Sequence, residues 1–394
     1  KLNEKQTRIK KRYAYYEMKN ITRDFGISTP PDLRMWMSCL GWCGKAVDTL
    51  ADRLVFEGFS EDTFGLNEIY QANNADILHD SAVLSALICS CSFIYITPDV
   101  NDPRMRVIDG YDATGVIDPT TGLLKEGYAV LERDAKGKAT IEAYFEPYKV
   151  TYIYNEDGTT RTETIDHKAP APLLVPIIYR PDAKRPFGHS RISRACMSIV
   201  GSAVRTVKRS EISAEFFSFP QKYITGLSPE AEIENKWASA MSAMLAMTKD
   251  EEGDSPKIGQ FAQQSMAPHL EQLRMFASLF AGETGLTVDD LGFTTGNPAS
   301  AEAIKSAHEA LRLTARKAQR TFGSGFLNAG YLASCIRDDY EYSRTAFALT
   351  RPMWAPVFEP DSSMLSGIGD ALFKIEQSHP GYITNEKMRE LTGF

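Results

Sequence analysis

The chain has 394 residues, 43% of them hydrophobic and 24% charged, which is the balance of an ordinary globular protein long enough to bury a core. A net charge of −7 argues against a protein that grips nucleic acid over its whole surface, because neutralising phosphate takes clustered Lys and Arg, so any DNA contact has to be local. No stretch approaches the ~18 uninterrupted apolar residues of a membrane span, and Lys1-Leu2-Asn3-Glu4-Lys5 lacks the apolar core of a signal peptide; an intracellular, soluble protein is expected, with its natural start upstream of Lys1.

The segment 5–19, rich in Lys, Arg and Tyr, predicts a short helix with a basic, solvated surface. From Trp36 an apolar stripe continues through Leu40, Cys43, Val47, Leu50 and Leu54, whose 4-3-4-3-4 spacing lays one helix face on a core until Gly58 ends it. Between residues 92 and 180 the pattern changes to short strands at 93–96, 127–131, 140–145, 150–154 and 161–165. Turns at Lys136-Gly137 and Asp157-Gly158 make a mostly antiparallel sheet.

A long helix is predicted over 190–219, with a stripe of Ile192, Cys196, Ile199 and Ala203, a capping hydroxyl from Ser190 and a stop at Pro220. A strand follows at 221–225. Ser228-Pro229-Glu230 is a strong helix start, and that helix carries Ile233, Trp237, Ala240, Met244 and Met247 on one face. After the polar run 250–256 and an apolar piece at 258–261, a second helix runs over 268–281 with Leu270, Leu273 and Phe280 in its stripe. The two helices form a hairpin with a small polar excursion. A loop at 285–299 contains Asp289, Asp290 and Gly296-Asn297-Pro298. Ser300 then caps a helix whose stripe is Ile304, His308, Leu311, Ala315, Ala318 and Phe322, and whose other faces carry Lys305, Arg312, Arg316, Lys317 and Arg320. Gly323 and Gly325 are expected to interrupt it.

The search for chemistry returns little. A phosphate-cradling loop needs a lysine that Gly292-Phe293-Thr294-Thr295-Gly296-Asn297-Pro298 lacks. Gly188-His189-Ser190 is half of a nucleophile elbow, with Ile192 where the second glycine belongs. The histidines have no metal-binding spacing, and 250–254 lacks the alternating ligands of a calcium loop. Cys39 and Cys43 sit one turn apart without a second pair, so all six cysteines read as structural and reduced. No catalytic, cofactor or metal site is expected.

Four stretches taken in order carry a resemblance to the portal proteins of long-tailed bacteriophages, the branch common in phages of Gram-positive hosts. They are Val47-Asp48-Thr49-Leu50-Ala51-Asp52-Arg53-Leu54-Val55-Phe56-Glu57-Gly58-Phe59; Val175-Pro176-Ile177 with Phe187-Gly188-His189-Ser190-Arg191-Ile192; 285–292 followed by Gly296-Asn297-Pro298-Ala299-Ser300-Ala301-Glu302-Ala303-Ile304; and 354–391. The resemblance implies an α+β portal fold assembled as a ring, usually a dodecamer, at one capsid vertex, through which DNA is packaged and ejected. It implies a mixed α/β wing over 1–227 and 300–360, stem helices over 228–248 and 265–284, a clip over 249–264, a tunnel loop over 285–299 and a short crown over 361–394. By position, Asp289, Asp290, Thr294, Thr295 and Asn297 would face DNA in the channel, and Glu251, Glu252, Asp254 and Lys257 would dock partners. Ile233, Trp237, Met244, Leu270, Leu273 and Phe280 would hold the ring together. The basic face of Lys305, Arg312, Arg316 and Arg320 either makes transient phosphate contacts or pairs with acids of an adjacent subunit, and pairing is the favoured reading because a ring needs contacts between subunits and exposed charges are usually structural. The implied partners are other copies of the chain, terminase, which would hydrolyse the ATP, a head–tail adaptor, the major capsid and scaffolding proteins, and double-stranded DNA. No cofactor or membrane is implied. The clip is short and the crown small for the family. Two alternatives stand beside this reading: another virion assembly protein, such as a minor capsid or head-completion protein, and a soluble α/β hydrolase using Ser190.

Overall fold

The computed structural model describes residues 2–23, 35–156, 159–218, 222–225, 257–260, 265–293, 306–358, 362–382 and 384. The chain divides into two units, one of Lys1–Asn20, Gly41–Met197 and Ala281–Phe394, the other of Ile21–Leu40 and Ser198–Phe280.

In the first unit the basic segment is a helix, α1 (Leu2–Tyr16), but its surface is not simply solvated. Lys5 donates to the carbonyl of Ala113 at 2.5 Å and lies over the rings of Phe93 and Phe187; Arg12 donates to the carbonyl of Cys89 at 2.8 Å. Tyr13 and Tyr16 bond to Asp109 and Asp48. The cations satisfy buried backbone acceptors that would otherwise cost about 1–3 kcal/mol each, and burial pushes both the Lys5 ammonium and the Arg12 guanidinium below their ordinary pKa values.

Helix α2 (Trp42–Ala51) is shorter than the apolar stripe predicts. Trp36 and Met37 lie outside it and exposed, and Cys39 also precedes it, so Cys39 and Cys43 do not share a helix face. Gly58 ends no helix. It stands inside strand β1 (Phe56–Ser60) with φ +123°, at a register shift. Two helices that the periodicity reading passed over follow: α3 (Leu66–Ala72), whose first amides donate to the carboxylate of Asp62, and α4 (Ala75–Cys89), buried along most of its length.

Ser90, at φ +94°, turns α4 into β2 (Cys91–Ile96), every residue of which is buried. Strand β3 (Met105–Ile108) pairs with it on one side. Next comes a five-stranded antiparallel meander, β4 (Ala113–Ile117), β5 (Leu124–Arg133), β6 (Ala139–Glu146), β7 (Lys149–Glu156) and β8 (Thr159–Asp166), each strand bonded to the next in sequence. Asp134 closes the β5–β6 turn by accepting from the amides of Lys136 and Lys138. Strand β9 (Leu174–Ile178) returns to the other side of β2, giving the order β3-β2-β9 and leaving Pro176 on an edge strand, where a missing donor is tolerated.

Helix α5 (Arg194–Ser218) crosses into the second unit. There β10 (Lys222–Thr225) pairs antiparallel with β11 (Lys257–Gln260), which joins two strands that the sequence presents 31 residues apart as separate pieces. Helix α6 (Ala267–Thr284) begins in this unit, bonded to α5 by Thr206 to Gln272 at 3.0 Å, and ends in the first. Helix α7 (Glu309–Arg337) runs unbroken through Gly323 and Gly325, contrary to the expected interruption. Both glycines are packing sites: a Cβ at Gly323 would stand 2.8 Å from Pro352, and one at Gly325 2.7 Å from Ile177. Strand β12 (Arg351–Trp354) pairs with β1, and α8 (Ser362–Ser378) follows.

The three-stranded sheet organises the core of the first unit. Ser92 on β2 donates to the carbonyl of Ala82 on α4, and its register partner Ile177 on β9 abuts α7 at Gly325, so α4 and α7 cover one face over different strands. The opposite face meets the meander. Tyr95 shares a hydrogen bond with Tyr152 at 2.7 Å and packs on Phe145, and Leu174 lies against Gly127.

Candidate functional site

The best-defined part of the predicted machinery is the base of the loop between α6 and α7. Gly285, at φ +71°, breaks α6 in the left-handed conformation that lets a helix close its last turn. The freed carbonyl of Thr284 accepts from the guanidinium of Arg191 at 2.5 Å, and the same guanidinium donates to the carbonyl of Ala46 at 3.2 Å. Arg191 is 7% exposed. One residue earlier on α6, Glu283 accepts from the hydroxyl of Ser193 at 2.7 Å, while the amide of Cys196 donates to that hydroxyl and so caps α5. The end of α6 is thus bolted to the start of α5 and to α2 by one buried cation and one hydroxyl.

Beyond Gly285 the chain makes a 3-10 turn, Asp289–Leu291. Thr287 donates its amide and hydroxyl to one carboxylate oxygen of Asp290, both at 2.8 Å, and the amide of Asp290 donates back to the Thr287 hydroxyl. That oxygen is 3.7 Å from Nδ1 of His308, at the head of α7. Asp290 therefore holds the turn together, whereas Asp289 is exposed. Of the two acids expected to face DNA, Asp290 thus also caps the turn. Thr294, Thr295 and Asn297, and Lys305 after them, lie outside the described residues, as do Ile233, Trp237, Met244, Glu251, Glu252 and Asp254.

Lys257 opens β11 opposite Thr225. On α6, Phe280 is buried and Leu273 half-buried, while Leu270 is exposed together with Met275 and Leu279. On α7, Arg312 is paired within its own helix, donating to both carboxylate oxygens of Glu309 at 2.7 Å. Arg316 and Arg320 are exposed.

Ser190 is neither the helix cap nor a nucleophile in waiting. Its side chain is buried and its hydroxyl donates to the carbonyl of Ile88 at 2.6 Å and accepts from the amide of Ile192 at 3.0 Å. A hydrolase serine needs a base on that hydroxyl. The neighbouring His189 instead bonds to Asp182 at 2.6 Å. Among the described residues, no three His, Cys, Asp or Glu side chains gather where they would hold a metal ion, and no helix is long and apolar enough to cross a membrane. Five cysteines are buried and Cys39 is exposed. Burial raises the thiol pKa values of the other five, Cys335 to about 11, which keeps them protonated and unreactive.

Sequence reasoning missed Arg191, Tyr13 and Asp109, since nothing local distinguishes a buried, carbonyl-bound arginine from a surface one. The arrangement is that of an α+β assembly protein, in which polar side chains fasten helices and turns. The phage portal protein family, SPP1 Gp6-like, matches residues 1–342, and the chain belongs to that family. It is 24% identical over 401 residues to the portal protein of Mycobacterium phage L5 and 26% identical over 402 residues to that of Mycobacterium phage D29, in each case spanning 97% of this chain and 81% of the relative. Among solved structures, a chain from the neck of an empty gene transfer agent (GTA) particle, computed with C6 symmetry, shares the fold with a TM-score of 0.50 and 15% identity, over 93% of this chain and 95% of that one.

Proposed function

We propose that copies of this chain form a ring at one vertex of a phage head, and that DNA enters and leaves through its channel. In this reading α6 is the second stem helix and 285–299 the tunnel loop, with its base clamped by Arg191 and Asp290. The region around β11 belongs to the clip, where terminase docks during packaging and a head–tail adaptor afterwards, and 361–394 forms a short crown. Capsid and scaffolding proteins meet the wing. The ring serves as a conduit and a docking platform, with no chemistry of its own.

The observation that carries the reading is the side of α6 that Met275 and Leu279 share. They are 50 and 53% exposed and, four residues apart, stand one above the other as an apolar surface of the kind that marks a protein contact. Neighbouring copies would cover it. Negative-stain electron microscopy and sedimentation velocity of the purified chain test this: closed rings with a central hole are expected, and a species that stays monomeric or dimeric at every concentration would refute it.

A further inference from the structure

Two surfaces of the first unit carry opposite charge and, among the described residues, form no ion pair. On α7, Arg316, Lys317 and Arg320 follow Leu313 at spacings of three, four and seven, which brings the four side chains to one helix face. All are exposed, Leu313 at 54%. Arg312, one turn before Arg316, is taken by Glu309, but none of the ion pairs among the described residues involves Arg316, Lys317 or Arg320.

The opposite sign gathers on α4 and the end of α2. Asp76 and Asp80 lie one turn apart on the exposed side of α4, on either side of Ile77, which is 73% exposed. Asp52 stands at the C-terminal cap of α2, which packs on α4, and Val55 close by in sequence is 51% exposed. None of the three acids is in an ion pair among the described residues. Partial burial, then the charges of Asp76 and Asp52, hold the Asp80 carboxyl above its ordinary pKa.

Each surface sets an exposed aliphatic side chain among like charges, and the two are complementary. Because they stand on different helices of one chain, a contact between them joins unlike patches of successive copies, and a head-to-tail contact of that kind closes into a ring when its rotation allows. We infer that the face of Leu313, Arg316, Lys317 and Arg320 on α7 docks on the face of Asp52, Asp76, Ile77 and Asp80 in a second copy of the chain. The inference rests on the ring reading above and names a contact within it that does not involve α6.

Reversing charge on one side and then on both tests it. The pair Arg316→Glu and Arg320→Glu, and separately Asp76→Lys and Asp80→Lys, should each weaken self-association in sedimentation velocity by about tenfold, equivalent to 1.4 kcal/mol, and more at low salt than at high. Combining all four should restore assembly, which no folding defect would do. In a Cys39→Ser background, Ile77→Cys and Leu313→Cys should form an intermolecular disulfide on mild oxidation. Rings that form equally well from every variant, with no such disulfide, would overturn the inference and leave the ring reading standing. No rings from the unaltered chain would remove both. Normal rings combined with a loss of salt-dependent duplex DNA binding in the Arg316→Glu, Arg320→Glu variant would also overturn it, by assigning the basic face to DNA.

Discussion

Replacing His79 by Phe should flatten the acid side of the stability profile. His79 is 4% exposed, with its ring against Phe56, Tyr70 and Phe326 at centroid distances of 4.3, 4.8 and 4.6 Å. Neither ring nitrogen has a hydrogen-bond partner among the described residues. Burial holds the imidazole down to about 4, against an ordinary value of 6.5. Above the ordinary value it is neutral in both the folded and unfolded chain. As the pH falls through 6.5 the unfolded chain takes up the proton first, and stability is lost until the folded form also protonates near 4. That gap corresponds to roughly 3 kcal/mol, of which about 2.5 kcal/mol is lost between pH ~7.5 and ~4.5. Urea unfolding at those two pH values, on the unaltered chain and on His79→Phe, isolates the term, because the carboxylates are common to both. The variant should lose about 2–3 kcal/mol less on acidification, and at neutral pH it should be no less stable, since a phenyl ring fills the same aromatic cage without two unpaired nitrogens. Parallel pH profiles for the two proteins would refute the reasoning.

Arg191→Met should lower stability by about 1–3 kcal/mol, by removing the charged donor that the Thr284 and Ala46 carbonyls share, and should raise amide hydrogen exchange selectively at the end of α6 and in 285–293; uniform exchange across the first unit would argue against a local clamp. Gly188→Ala should give a protein that melts far lower or fails to fold, because the residue has φ +72° and a Cβ there would fall 2.1 Å from the Tyr179 carbonyl oxygen. A thermal melt within a few degrees of the unaltered chain would contradict that.

Much of the fold was legible because its signals are local. Alternating side chains and polar turns mark β5, β6, β7 and β8, and each of these strands bonds to its neighbour in sequence, so period and turn chemistry suffice. The buried stripe of α7, Leu311, Ala315, Ala318 and Phe322, follows its helical spacing for the same reason. The order of motifs likewise carried the family resemblance along nearly the whole chain, since a family pattern is a property of sequence.

What the tertiary structure decided depends on residues far apart in the chain. Gly323 and Gly325 read as helix breakers, yet α7 continues through them, because Pro352 and Ile177 press against positions that admit no side chain. The helix gains close packing that outweighs the roughly 1 kcal/mol a glycine costs. Ser190 reads as a cap or a nucleophile and is instead spent on the backbone of α4, 102 residues away in sequence. Lys5 and Arg12 read as a solvated face and are half-buried donors to strand and helix carbonyls. Composition and periodicity specify many of the helices and strands and which of their faces are apolar. Only the folded chain specifies which polar group meets which, because a hydrogen bond is short and directional, and its partner can lie at any distance along the sequence.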